Sequence, residues 1–187
     1  MPPESGFRLA AGKEQEALEP SSEELAAVVL HMCDAHEASK HAAGDEAVPA
    51  VSFAGRGEPL LRLEALCDTV RRVHARRPGV SFRVNTNGLF ESSVASVLAD
   101  AGVKRATVAL ASADDAQYSM LMQPLRLPGE LQPCGLRDVL AFISRLSECG
   151  VAVEVGIVAH PAVDVEAARR AAQAAGASDI RVRTYFP

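Results

Sequence analysis

Val51-Ser-Phe-Ala-Gly-Arg-Gly-Glu-Pro-Leu-Leu61 is the stretch from which the rest of the chain is read. Ala50 to Ala54 reads as a short buried strand that breaks at Gly55 and Gly57 and restarts as a helix after Pro59. Glycine permits backbone turns that residues with a β-carbon resist. Proline suits the first helical turn, where its missing N–H costs nothing. A glycine-rich turn from strand to helix is a usual ligand site in α/β proteins.

Glu58 bears on the kind of ligand. A phosphate cradle uses unopposed N–H donors at the positive end of a helix dipole. Glu58 puts a carboxylate at that spot, which repels phosphate and attracts an ammonium group. An amino-acid-like zwitterion fits such a turn better than a nucleotide phosphate. The competing reading is a capped loop in which Glu58 only favours the helix N-terminus. The pattern alone leaves both open.

At 187 residues the chain is long enough for one domain with a full core. It is 48% hydrophobic, with a formal net charge of −5 and no basic run, which argues against a nucleic-acid surface. No apolar run reaches the roughly 18 residues that would span a bilayer, and the first residues lack the pattern of a signal peptide. A cytoplasmic protein is expected. Cys33, Cys67, Cys134 and Cys149 form no Cys-x-x-Cys pair and read as reduced packing residues.

Residues 1–20 are rich in proline, glutamate and alanine and read as a loose arm ahead of an α/β domain over 21–187. Ser21-Ser-Glu-Glu24 has the form of a capping box. The helix it starts is expected to bury Leu25, Val28, Val29, Met32 and His36. His31, Cys33 and His36 have the residue types of a metal site, but His31 and His36 diverge around a helix. Leu63, Leu66, Cys67, Val70 and Val73 recur at helical spacing, with Arg71, Arg72, Arg76 and Arg77 as the solvated face.

Val80 to Val84 reads as the next strand, ending in Asn85-Thr-Asn-Gly88, whose amides suit either a tight turn or a ligand's polar groups. A helix over 92–101, inward at Val94, Val97 and Leu98, ends at Gly102. A strand over 107–111 leads to Ser112-Ala-Asp-Asp115, which caps a helical turn through Tyr118 to Met122. Gln123 to Pro133 is a proline-rich loop and a candidate lid. A helix from Leu136 stops at Gly150, and a strand of alternating valines ends at His160. A helix over 164–175 and a strand over 180–185 follow. Strands alternating with helices predict a parallel sheet with right-handed crossovers. Ligands gather at the carboxyl ends of such strands, where Gly55–Glu58, Asn85–Gly88, Ser112–Asp115 and His160 converge.

Gly55-Arg-Gly-Glu-Pro59, Asn85-Thr-Asn-Gly88 and Val108-Ala-Leu-Ala-Ser112, with Tyr118 and Pro124 beyond, resemble the radical S-adenosylmethionine (radical SAM) superfamily. The resemblance runs from about Ser21 to Pro187. It is nearest to the subgroup found with TatD-type nucleases, through Phe142-Ile143, Val158–Pro161, Gly176 and Arg183-Thr-Tyr185. It implies a partial (β/α) barrel of TIM type with about five parallel strands, lacking the first strand of the (β/α)6 core. It also implies that Gly55, Gly57 and Glu58 hold the methionyl amine of S-adenosylmethionine. Asn85, Thr86 and Asn87 would then sit beside the methionyl or ribose part. Ser112 would face the ribose, and Ile157 and Val158 would lie against the adenine.

The family's chemistry also needs a [4Fe-4S] cluster held by Cys-x-x-x-Cys-x-x-Cys after the first strand. No cysteine here precedes Cys33, so no residue of this sequence inherits that role. Two expectations follow: a truncated piece of a longer enzyme, or a cluster-less relative with a remnant S-adenosylmethionine pocket. Neither generates the deoxyadenosyl radical alone. An alternative is a non-catalytic module that self-associates or meets a partner through the exposed edge Ala50–Ala54 or the arginine-rich helix. A third is an unrelated enzyme using His160, Asp115 and Glu58 in acid–base work.

Overall fold

The computed structural model describes residues 19–41, 50–54, 57–122 and 135–186, with side chains omitted at 38–41. The expected lid, Gly55, Pro124, Cys134 and most of the N-terminal arm lie outside the described residues. Helix α1 (Ser22–His41) opens at the capping box: Ser21 N donates to Glu24 Oε2 at 2.8 Å and Glu24 N to Ser21 Oγ at 3.2 Å. Strand β1 (Ala50–Phe53) leads through a 3-10 turn (Pro59–Arg62) into α2 (Leu63–His74). There follow β2 (Ser81–Thr86), α3 (Ser93–Ala101), β3 (Arg105–Ala109), α4 (Asp115–Met122) and α5 (Leu136–Glu148). Strand β4 (Ala152–Ala159), α6 (Val165–Ala174) and β5 (Asp179–Thr184) complete the described chain.

The five strands are all parallel and lie in the order β1-β2-β3-β4-β5. The order never reverses, which separates this sheet from a doubly wound one. Right-handed crossovers that always step the same way put their helices on one face. The result is the open, singly wound sheet of a partial TIM-type barrel, as the alternation predicts.

Side-chain alternation divides the two faces. Phe82 and Val84 of β2, Val108 of β3, and Val153, Val155 and Ile157 of β4 are fully buried under the helices. Phe53 stacks on Phe82 with ring centroids 5.7 Å apart. Fully burying side chains of this size contributes about 1.5–3 kcal/mol each, so this layer fixes the register of the sheet. The opposite face carries Ser52, Arg83, Asn85, Thr107, Glu154 and Arg181, placed side by side by the same register.

Several expectations are corrected. Helix α1 buries Ala26, Val29 and Cys33, while Val28 is 56% and Met32 63% exposed. Residues three and four apart share a helix face, and here the buried face is the one with small side chains, where α1 meets α2. Arg77 does not stand in the solvated face of the second helix; it pairs with Asp34 and Glu37 of α1. In α3 the inward residues are Ala95, Leu98 and Ala101, with Val97 39% exposed. Strand β3 runs from Arg105 to Ala109, starting and ending two residues earlier than expected, because Arg105 pairs on the open face rather than lying in a loop. Strand β2 likewise runs on through Asn85 and Thr86.

Candidate functional site

The carboxyl ends of the strands gather most of the residues singled out above. Glu58 follows β1 and caps the 3-10 turn, with its Oε1 accepting from Leu60 N at 3.1 Å. Its Oε2 accepts from the backbone N of Asn87, just past β2, at 2.8 Å. The capping reading of Glu58 therefore holds, without excluding the ligand reading. A carboxylate has about four lone-pair directions, and two backbone donors fix its orientation while occupying two of them. The side chain is only partly buried. At Gly57 an added Cβ would meet nothing within 4 Å, so the backbone there stands open.

The three residues of the Asn-Thr-Asn run separate by pleat. Asn85 points to the open face beside Thr107. Its Oδ1 is buried and has no hydrogen-bond partner among the described residues. A buried polar atom without a partner costs roughly 1–3 kcal/mol, so this oxygen is a natural acceptor for a ligand. Thr86 turns to the helix side, is 6% exposed, and its hydroxyl accepts from Gly88 N at 3.0 Å. Asn87 Oδ1 accepts from Leu89 N at 2.9 Å, closing an Asx turn and leaving its amide donors. Glu58, Asn85 and Asn87 thus converge on one rim, whereas Thr86 supports it from behind.

Ser112 lies farther along the rim and is 2% exposed. Its hydroxyl donates to Gln117 Oε1 at 2.6 Å and accepts from Asp114 N at 3.0 Å. Gln117 Nε2 in turn donates to Ala162 O at 2.7 Å, and Ala162 N donates to His160 Nδ1 at 3.1 Å. His160 meets Tyr185 edge-on, centroids 4.5 Å apart. This chain of contacts ties together the loops after β3, β4 and β5. Gln117 carries no motif of its own, whereas Tyr185 belongs to the Arg183-Thr-Tyr185 segment. The one sequence signal for Gln117 is Asp114 three residues earlier, whose Oδ1 accepts Gln117 N at 2.7 Å as a helix cap.

The open face has its own ion pair. Arg83 Nη2 lies 2.9 Å from Glu154 Oε1, and its guanidinium also donates to Thr107 Oγ1 through Nε at 2.7 Å. The guanidinium covers Thr107, which explains why Thr107 is buried on an otherwise solvated face.

The described cysteines do not form a cluster site. Cys33 and Cys67 are buried free thiols, pushed above the usual thiol pKa mainly by burial, and Cys149 is a half-buried free thiol. Among the described residues no three His, Cys, Asp or Glu side chains are grouped to hold a metal ion. No helix among them is long and apolar enough to cross a membrane.

No protein-family model matches the sequence, and no curated protein matches it. Solved structures do. Native anSMEcpe with bound AdoMet superposes with a TM-score of 0.54 at 14% identity, over 73% of this chain and 37% of that one. Coproporphyrinogen III oxidase (HemN) from Escherichia coli, described as a radical SAM enzyme, gives 0.54 at 11% identity, over 73% and 32%. A tagged form of anSMEcpe with bound AdoMet gives 0.52 at 15%, over 75% and 39%. The chain spans about a third of the length of these structures. Its five-stranded parallel sheet shares the partial TIM-type fold of these structures.

Proposed function

We propose that the rim formed by Glu58, Asn85 and Asn87 binds the amino-acid end of S-adenosylmethionine, with Gly57 leaving the backbone open to it. Glu58 accepts hydrogen bonds from the ligand's ammonium, and Asn85 Oδ1 accepts another from the same end. The observation that carries this reading is the Glu58 carboxylate, oriented by two backbone N–H groups yet partly exposed. Ser112, held between Gln117 and Asp114, positions the next loop rather than contributing a free hydroxyl donor.

The reading stops at binding. Reductive cleavage of S-adenosylmethionine requires an iron–sulfur cluster, and the described cysteines do not fit one, so this domain by itself is a binding domain of radical SAM type. The TatD-associated subgroup rests on the sequence resemblance of Phe142-Ile143, Val158–Pro161, Gly176 and Arg183-Thr-Tyr185. A cytoplasmic setting suits free thiols at Cys33, Cys67 and Cys149. The second reading, self-association through β1, is favoured by that strand's pairing with β2 alone among the described residues.

Calorimetric titration with S-adenosylmethionine separates the readings. Saturable binding that weakens about tenfold in Glu58→Gln supports the rim, since a hydrogen bond to a charged group contributes about 1.5–3 kcal/mol. Unchanged binding in that variant removes Glu58 from the site. No binding, together with concentration-dependent sedimentation, favours the edge-strand reading.

A further inference from the structure

His160 stands at the carboxyl end of β4 and holds the turn that follows it by its ring. Val163 N donates to His160 O at 2.9 Å, and Ala162 N donates to His160 Nδ1 at 3.1 Å. A ring nitrogen that accepts is unprotonated, so the neutral imidazole carries its proton on Nε2. Ala162 is bonded on its other side as well. Its carbonyl oxygen accepts Gln117 Nε2 at 2.7 Å, and Gln117 Oε1 accepts the Ser112 hydroxyl at 2.6 Å. One residue of the turn thus joins the His160 ring to α4 and to the loop after β3.

The Ala162 bond and a charge on His160 exclude each other. In the imidazolium both ring nitrogens carry hydrogen, so Nδ1 no longer accepts and the Ala162 N–H loses its partner. Histidine is the side chain whose ordinary change of charge falls between pH 5 and 8. The charged form has a neighbour of its own. Tyr185 meets the ring edge-on with centroids 4.5 Å apart, and a cation within about 6 Å of an aromatic ring is attracted to its π face. The charged groups on the surrounding elements are otherwise placed. Asp164, at the start of α6, accepts Ala167 N at 2.8 Å, and Asp114, ahead of α4, accepts Gln117 N at 2.7 Å. Asp115 begins α4, and Arg183 of β5 pairs with Val158, two residues before His160. None of these groups forms an ion pair with His160 among the described residues.

We infer that His160 is a proton-operated latch on the loops at the carboxyl end of the sheet. As a neutral ring it holds Ala162, and through Ala162 it ties the loop after β4 to α4 and Ser112. As a cation it releases Ala162 and is drawn to Tyr185. The loops after β3 and β4 are then joined only through Gln117 and a loosened turn. Losing one such bond shifts the balance between closed and open turn by about tenfold. The latch lies beyond β4, whereas Glu58 lies beyond β1, and it stands whether or not the Glu58 rim binds S-adenosylmethionine.

The test is an NMR titration of the whole chain from pH 8 to pH 5, above the range in which ordinary carboxyls titrate. At pH 8 the ring nitrogen shifts should report hydrogen on Nε2 and none on Nδ1. On acidification the Ala162 amide and the Gln117 side-chain amide should move with the same midpoint as the His160 ring, and the protection of the Ala162 amide should fall about tenfold. His160→Asn keeps an acceptor for the N–H two residues on but takes up no proton. It should retain the protection at pH 8 and lose the pH dependence. His160→Phe keeps a ring against Tyr185 without the acceptor, and should be unprotected at every pH. Melting curves establish that each variant is folded, and the wild-type titration decides by itself if one is not. Hydrogen on Nδ1 at pH 8, or Ala162 and Gln117 signals that do not follow the His160 midpoint, would overturn the latch. So would a pH dependence that survives in His160→Asn.

Discussion

The Glu58 carboxylate accepts the backbone N–H of Asn87 at 2.8 Å and joins the carboxyl ends of β1 and β2. The two residues are 29 positions apart in sequence, and strand pairing alone does not fix how the loops beyond the strands meet. A single side chain thus serves as cap to its own turn and as clasp to the neighbouring strand. Glu58→Ala removes the acceptor of two backbone donors, Leu60 N and Asn87 N. We expect a loss of about 1–3 kcal/mol in urea denaturation, about half recovered in Glu58→Gln, whose one carbonyl oxygen replaces one acceptor. Equal stability of Glu58→Ala and wild type would show that the clasp contributes nothing.

Gly88 tests the turn that follows. Its φ is +73°, a left-handed value that L side chains resist, and an added Cβ would stand 2.7 Å from Val108 Cγ1 and 3.2 Å from Val139 Cγ1. Strain and overpacking act together here, each of order 1–3 kcal/mol. Gly88→Ala should therefore lower the melting temperature by several degrees. Gly135→Ala, where a Cβ meets nothing within 4 Å, should change it little. Similar effects at both sites would refute the close approach of this turn to β3 and α5.

Arg83 and Glu154 form an ion pair on the open face, with side chains 34% and 22% exposed. Exposure of this order screens the pair, so its coupling should fall at about 1 kcal/mol rather than at buried-pair values. A double-mutant cycle with Arg83→Met and Glu154→Gln reads it directly. Each single change leaves a partner unanswered, and the double variant should cost less than the two losses added. Strict additivity would mean that the pair is not formed in solution.

Much of the fold is legible in the sequence because periodicity reports burial. The run from Leu136 to Leu146 buries the residues its spacing indicates, apart from Leu140, and Ser21-Ser-Glu-Glu24 forms the cap its pattern indicates. Periodicity fails where small residues make the contact. Ala26 and Cys33 in α1, and Ala95 and Ala101 in α3, carry less hydrophobic signal than their exposed neighbours Val28, Met32 and Val97. Of the rim, Glu58 and the asparagines stand out as types in a turn. The Ser112–Gln117–Ala162–His160 links do not, because two of their acceptor and donor groups are backbone atoms with no identity in sequence. The open-face arginines escape notice for a related reason. They lie on three different strands and are joined only by register.

The capping box makes a pH prediction. The backbone N–H and hydroxyl of Ser21 hold the Glu24 carboxyl below the usual glutamate value. The Ser22 hydroxyl and Arg72 do the same for Asp68. A carboxyl whose folded pKa is depressed contributes stability above its unfolded value, roughly 4 for these groups. That contribution is lost as pH falls through the lower folded value. Carbon-detected titration should find Glu24 below free glutamate, and Ser21→Ala should return it upward. An unshifted Glu24 in the wild type would mean that the box frays in solution.

Thiol chemistry should rank the described cysteines by burial. Cys33 is 3% and Cys67 2% exposed, and burial raises both thiols above their ordinary value, so little thiolate forms near pH 8. Cys149 follows α5, is only half-buried, and its sulfur lies 3.6 Å from Ser96 Oγ. A maleimide pulse on the native protein, read by peptide mass, should therefore label Cys149 well before Cys33 and Cys67. Cys33 and Cys67 should become reactive only with unfolding, at a rate that follows the opening of α1 and α2 rather than reagent concentration. Early labelling of Cys33 would mean that α1 separates from α2 in the native state. In that case the Arg77 pairs with Asp34 and Glu37 are too weak to hold the helix in place, and Arg77→Ala should leave the labelling rate unchanged.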